Sequence, residues 1–207
     1  MSTEDLTAVL TSRICHDLVS PIGAIVNGVD LIREIGGGDI EAELGMINQS
    51  SARASALLQF YRVAFGAASS GSEIARNALR DQSRALIETP RIVLDWPEDH
   101  GPHIARAHAR LLFQVILCAR ALTGMRGIIA IRLPVDGFLP LSLTVHSSGG
   151  ADCEEMLEHL CGTAGAADLS PRLVEFVLVR QTAQELGLTI NVQRGDATIR
   201  IDVDGST

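Results

Sequence analysis

The chain has 207 residues, 46% of them hydrophobic, and its 25 acidic residues outnumber its 17 basic ones to give a net charge of −8 at neutral pH. That length and apolar content predict a folded protein of one or two domains, not a disordered chain, and the acidic balance disfavours general nucleic-acid binding. All 17 basic residues are arginine, which excludes a Walker lysine, a Schiff-base lysine and a kinase-type ATP lysine together.

Cys15, Cys118, Cys153 and Cys161 form no Cys-x-x-Cys pair, so reduced structural thiols are expected, without a zinc site or a disulfide framework. No apolar run is expected to reach transmembrane length, and Glu4 and Asp5 spoil a secretory leader. The expectation is a soluble cytoplasmic protein with neither nucleic acid nor membrane as partner.

The first helix is predicted from about Thr3 or Asp5 to Ile35, with Leu6, Leu10, Ile14, Leu18, Ile25, Val29 and Ile32 as its buried stripe. At 3.6 residues per turn His16 points about 160° away from Ile14 and Leu18. Ser12, Ser20, Gly23 and Asn27 share its face, small or polar residues that leave room for another surface to approach. Pro21 removes one backbone donor close to the histidine, so a local bend is expected there.

Gly36-Gly-Gly38 ends that helix. Asp39 is the expected N-cap of a second one, with Glu41 and Glu43 in its first turn where the helix dipole favours negative charge. Its stripe is read as Ile40, Leu44, Ile47, Ala54, Leu57, Leu58, Tyr61 and Phe65, through to about residue 67. Two helices joined by a short glycine loop make an antiparallel hairpin that cannot close a core alone. Either two chains pair into a four-helix bundle carrying one His16 on each side, or the rest of the chain covers the stripe within a monomer.

Residues 67–71 are small and read as a linker, dividing the chain into a hairpin domain, 1–68, and a mixed domain, 72–204. In the second, Ser72 is expected to cap a helix through Leu86, followed by a strand over Arg91–Trp96 that Pro97 stops. The histidines of His100-Gly-Pro-His103 and His108 lack a carboxylate or cysteine at ligand spacing and read as polar surface. A strongly apolar helix over Arg106–Thr123 precedes strands at Gly127–Leu133 and Leu139–Val145, joined by a turn at Pro134–Gly137. A short helix from Asp152 to Leu160 comes next, then one capped by Ser170, with Pro171 in its first turn, ending near Glu185. The strands Leu188–Gln193 and Ala197–Val203 close the chain as a hairpin. This order predicts an antiparallel or mixed sheet with helices on one face.

The run His16-Asp17-Leu-Val-Ser20-Pro21 resembles the phospho-acceptor box of two-component histidine kinases, in which an acidic residue follows the histidine and a proline stands four positions after it. The longer stretch from Arg13 to Gly28 is similar, more narrowly, to histidine phosphotransferases of the ChpT type. From Arg106 onward the order of elements also resembles the ATP-binding domain of histidine kinases. Arg110-Leu-Leu-Phe-Gln114-Val-Ile-Leu117 is similar to the start of its asparagine box, and Val179-Arg-Gln181 with Leu186–Val192 to its last helix and strand. The nucleotide positions depart from that pattern: Cys118 and Leu122 stand where the family has its asparagines, Ser147 replaces the adenine-binding aspartate, Ala151 replaces a glycine, and Leu173-Val-Glu-Phe176 replaces the phosphate-cradling glycines.

The resemblance therefore implies an α + α/β protein, an N-terminal antiparallel helical hairpin forming a four-helix bundle on dimerisation, followed by a degenerate histidine-kinase ATPase-like α/β sandwich. It implies phosphoryl transfer through His16, supported by Asp17, with Ser12, Arg13, Ser20, Gly23 and Asn27 on the docking surface. The implied partners are a second copy, the receiver domain of a hybrid histidine kinase, and response regulators of a bacterial cell-cycle or developmental phosphorelay. No cofactor is expected on this chain; the receiver supplies Mg2+ and its own lysine. A kinase with an unusual nucleotide site and a non-enzymatic dimeric scaffold remain the alternative readings of the sequence.

Overall fold

The computed structural model describes residues 3–35, 40–66, 72–124, 126–147, 153–163, 170 and 172–205. Helix α1 runs Thr3–Ile35 and α2 runs Glu41–Ala64, packed side by side as the hairpin expected. The glycines at 36–38 and the expected cap Asp39 lie outside the described residues. Ile40 stands at the cap position without a side-chain bond, while Glu41 and Glu43 do occupy the first turn of α2. Gly28 is buried where the helices meet, and a Cβ there would come within 2.7 Å of Ile47 Cγ1, so its missing side chain sets how closely α1 approaches α2. Pro21 is accommodated inside α1.

Over Leu6–Glu34, α1 is long and apolar enough to cross a membrane by length and composition. This corrects the expectation that no apolar run reaches that length: between Leu6 and Val29 the only charges are Arg13 and Asp17, and leucines, isoleucines and valines carry the hydropathy. Here the helix packs on α2, with Ile14 and Leu18 against the protein core.

The second half builds a five-stranded mixed sheet, order β2-β4-β5-β7-β6, from β2 (Ile92–Asp95), β4 (Gly127–Arg132), β5 (Leu141–Ser147), β6 (Leu188–Arg194) and β7 (Thr198–Gly205). Only β2 and β4 run parallel. Register lines up Ile129, Val145 and Ile199, and next to them Ile131, Leu143 and Ile201, all on the buried face. Alternate residues on each strand thus face one core, the period-two pattern that lets a sheet be covered on one side. Against that face pack α3 (Arg76–Ile87), α4 (Arg106–Leu122), α5 (Glu154–Cys161) and α6 (Val174–Glu185). The core of α4, including Leu111, Leu112, Val115, Ile116 and Leu122, is buried as its periodicity predicted.

Two boundaries and one helix face differ from the sequence reading. Ser72 does not open α3: its carbonyl accepts from the Arg106 amide, and Glu73–Ile74 forms a two-residue strand, β1, paired with Ile104–Ala105, β3. Those backbone groups bond to a distant segment, so the helix starts only at Arg76. Helix α6 begins at Val174, preceded by a turn in which the Leu173 amide donates to the Ser170 carbonyl, so Ser170 is not its cap; Pro171 lies outside the described residues. On α2 the buried face is Leu57, Phe60, Tyr61, Val63 and Ala64, whereas Leu44 and Leu58, read as inward, are exposed.

The end of α2 belongs to the same core as the sheet. Phe60 stacks on Phe113 of α4, ring centroids 4.0 Å apart, and the buried Gln114 amide donates to the Ala64 carbonyl at 2.8 Å. Arg53 Nη1 donates to the carbonyls of Ala85 and Leu86 at 2.9 and 2.6 Å. Elsewhere the buried Arg76 ties two loops together, pairing with Asp99 at 2.5 Å and donating to the carbonyls of Pro102, Pro134 and Gly137.

Candidate functional site

His16 lies mid-helix on α1 with 83% of its side chain exposed. Helical periodicity leaves it there, because Ile14 and Leu18 take the inward direction. Its Nδ1 sits 3.4 Å from Asp17 Oδ1. Asp17 is only 16% exposed and is held from its other oxygen: Tyr61 on α2 donates its hydroxyl to Oδ2, and Arg13, one turn earlier on α1, places Nε 3.3 Å from the same atom. The carboxylate is thus fixed by two donors on one oxygen and turns the other toward the imidazole. A carboxylate can only accept, so the contact favours the tautomer with hydrogen on Nδ1 and leaves the Nε2 lone pair free.

Burial, reinforced by the bond to Asp17, pushes the Tyr61 phenol far above its ordinary range, so it stays a donor at any physiological pH. Beneath Arg13 lies Glu175 of α6, 4% exposed, with Oε1 3.8 Å from Arg13 Nη2. Burial raises its pKa to about 7, against the opposing pull of Arg13. This places part of the Leu173–Phe176 segment directly under the histidine helix.

A groove of about 450 Å³ opens beside the histidine, lined among others by His16, Ser20, Gln49, Ser50, Arg53 and Arg120. Of the residues singled out from sequence, the structure brings together His16, Asp17, Arg13 and Ser20. Ser12 and Asn27 lie exposed on the same helix, and Gly23 faces open space, with nothing within 4 Å of a Cβ placed there. None of these three lines the groove. Arg13 is engaged by Asp17 and Glu175 within the chain. Tyr61, Glu175, Arg53 and Arg120 escaped the sequence reading. Tyr61 and Arg53 are eight residues apart on α2, a spacing visible in sequence, but only the packing of α2 shows which carboxylate they face.

At the positions that depart from the nucleotide-binding pattern, Cys118 and Leu122 point into the core, as do Leu173, Val174 and Phe176. Burial drives the Cys118 thiol well above its usual pKa. Ser147 ends β5, its hydroxyl 3.4 Å from the Thr123 carbonyl; Ala151 lies outside the described residues. No group of three or more His, Cys, Asp or Glu side chains able to hold a metal occurs among the described residues. His108 stacks on Phe138 at 4.7 Å instead, and burial lowers its pKa.

Residues 76–198 match the family model described as the histidine phosphotransferase C-terminal domain. The protein phosphotransferase ChpT of Brucella abortus (strain 2308) is 32% identical over 194 residues, covering 93% of this chain and 91% of that protein. A solved bacterial phosphotransferase superposes with a TM-score of 0.78 at 29% identity, covering 99% of this chain and 98% of the other. With the family model matching well over half of the chain and these two likenesses running through both of its halves, the chain belongs to the ChpT-type histidine phosphotransferases of bacterial phosphorelays.

Proposed function

We propose that the chain relays phosphoryl groups through phospho-His16 between the aspartates of receiver domains, from a hybrid kinase to response regulators, in the cytoplasm and without binding ATP itself. The observation that carries this reading is the exposed imidazole of His16 beside a carboxylate held on its far side by Tyr61 and Arg13. Nε2 attacks the phosphorus of an acyl phosphate, the P–O bond to the donor carboxylate breaks, and the Nδ1 proton stays on the ring, where Asp17 stabilises the positive charge that develops. Positioning and charge supply most of the rate in such loose transition states. The receiver brings its Mg2+ and lysine.

Two features support the rest of the reading. The nucleotide positions are occupied by core side chains, Cys118 and Leu122 on α4 and Leu173, Val174 and Phe176 before and within α6, while the one carboxylate of that segment, Glu175, is buried toward Arg13. On the hairpin Val19, Ile22, Val26 and Leu31 of α1 and Leu44 and Leu58 of α2 are exposed; a second copy covering them completes a four-helix bundle.

Label transfer from a purified, aspartyl-phosphorylated receiver domain tests the proposal. His16→Ala and His16→Gln abolish acid-labile labelling, since neither offers a ring nitrogen, and both remain dimeric in light scattering. Persistent labelling of a folded His16→Ala protein would sink the assignment. Titration calorimetry with Mg-ATP is expected to be flat, and heat of sub-millimolar binding would favour a kinase.

A further inference from the structure

Arg53 and Arg120 come together in the groove beside His16 from two different elements, α2 and α4. Arg53 is half-buried, and that burial first, then the charge of Arg120, disfavours its protonated form. Arg53 is fixed through Nη1, which donates to the Ala85 and Leu86 carbonyls. Among the described residues the Arg120 guanidinium makes no hydrogen bond or ion pair, although its charge reaches Arg53 and Glu175 in the same cluster. Asp17 is already engaged by Tyr61 and Arg13. Two like charges are thus held at a half-open groove, one guanidinium anchored and the other unspent, with the exposed imidazole on the rim.

We infer that this arginine pair is a phosphoryl-binding subsite, in which Arg120, positioned against Arg53, contacts the dianionic phosphoryl group on the His16 nitrogen. The inference rests on the reading of His16 as phospho-acceptor and adds the group that receives the charge. A guanidinium suits this task, since its planar fork donates two bonds to phosphoryl oxygens and keeps its charge at every working pH. Gln49, Ser50 and Ser20 line the same groove and give it further polar walls. A phosphoryl group placed there relieves the repulsion between the arginines, so the subsite strengthens as the transferring group arrives and accelerates transfer rather than only trapping product.

Potassium phosphoramidate is the probe, because it needs no receiver and therefore no docking surface. His16 Nε2 attacks its phosphorus, the P–N bond to the ammonium group breaks, ammonia leaves, and the ring retains its Nδ1 proton. Intact mass and 31P NMR follow the product in wild type, Arg120→Gln, Arg120→Lys and His16→Ala. Arg120→Gln is expected to phosphorylate about tenfold to a hundredfold more slowly, Arg120→Lys to recover part of that loss, and both to unfold at the wild-type temperature. The 31P resonance of phospho-His16 is expected to titrate at higher pH in Arg120→Gln than in wild type, since a neighbouring cation favours the dianion; a role confined to packing leaves that titration unmoved. Equal rates and equal titration in wild type and Arg120→Gln, with labelling still lost in His16→Ala, would overturn the subsite and leave His16 standing. Labelling that survives in His16→Ala would overturn the acceptor itself, and the subsite with it.

Discussion

Glu175 gives the fold a pH dependence whose sign runs against the ordinary carboxylate. Its side chain is buried under α1, and its pKa rises from 4.5 to about 7 chiefly through that burial. In the unfolded chain the same group ionises near its ordinary value, so between these two pH values the folded state binds more protons than the unfolded one. Stability therefore falls as pH rises through this window and levels off above it. At about 1.4 kcal/mol per pH unit, the gap corresponds to a loss on the order of 3 kcal/mol between about pH 4.5 and 7. Glu175→Gln keeps the shape of the protonated form and removes the titration. Urea unfolding of both proteins at fixed protomer concentration, at pH 5, 6, 7 and 8, is the assay. The two are expected to differ by less than about 1 kcal/mol at pH 5, and the variant to exceed wild type by about 3 kcal/mol at pH 8, or roughly 6–12 °C in Tm for a chain of this size. Parallel pH profiles for the two proteins would refute the reasoning and imply that Arg13, 3.8 Å away, fully compensates the ionised form.

Four other outcomes follow from the geometry. Asp17→Asn slows transfer by roughly 10²–10⁴-fold without abolishing it, as loss of an orienting acceptor does, measured by single-turnover labelling from a receiver. Tyr61→Phe removes the hydroxyl bonded to Asp17 and lowers stability by about 1.5–3 kcal/mol; because the phenol pKa is raised, this contribution is complete below pH 10 and is lost only as pH climbs through the raised value, which denaturant titrations at pH 7 and above check. Arg76→Ala strands Asp99 and the carbonyls of Pro102, Pro134 and Gly137 and costs about 3–5 kcal/mol of stability, read by thermal unfolding. Phe60→Ala opens a cavity opposite Phe113 and costs about 3–5 kcal/mol, read in the same way.

The hairpin was legible because its signals are local: helical spacing of aliphatic residues, glycines after Ile35, acidic residues at the start of α2. The sheet was legible in its strands, where buried residues alternate with less buried ones from Leu141 to Val145 in β5 and from Ile199 to Val203 in β7, but its order is a matter of long-range pairing that no spacing encodes. Ser72 and Ser170 misled for one reason: both look like helix caps, and in both the serine carbonyl accepts a backbone amide and the helix starts later. His16 and Asp17 were readable as a motif on one helix, and the exposure of His16 followed from its angle to Ile14 and Leu18. The residues that hold them were not readable. Tyr61, Glu175, Arg53 and Arg120 come from three other helices, and Glu175 sits in a segment whose departure from the nucleotide pattern spoke only of what the domain lacks.

The stack of Phe60 on Phe113 and the bond from Gln114 to the Ala64 carbonyl tie the hairpin into the sheet's core, so the two halves of the chain answer to each other mechanically. Tyr61, which steadies Asp17, is the next residue after Phe60 on that helix. A change of volume in the interior of the α/β half reaches the carboxylate beside His16 through two adjacent residues of α2. Random substitutions that slow the relay are therefore expected to accumulate around Phe113 as well as around His16, and a hairpin grafted onto another sheet carries its histidine but loses the frame that aims it.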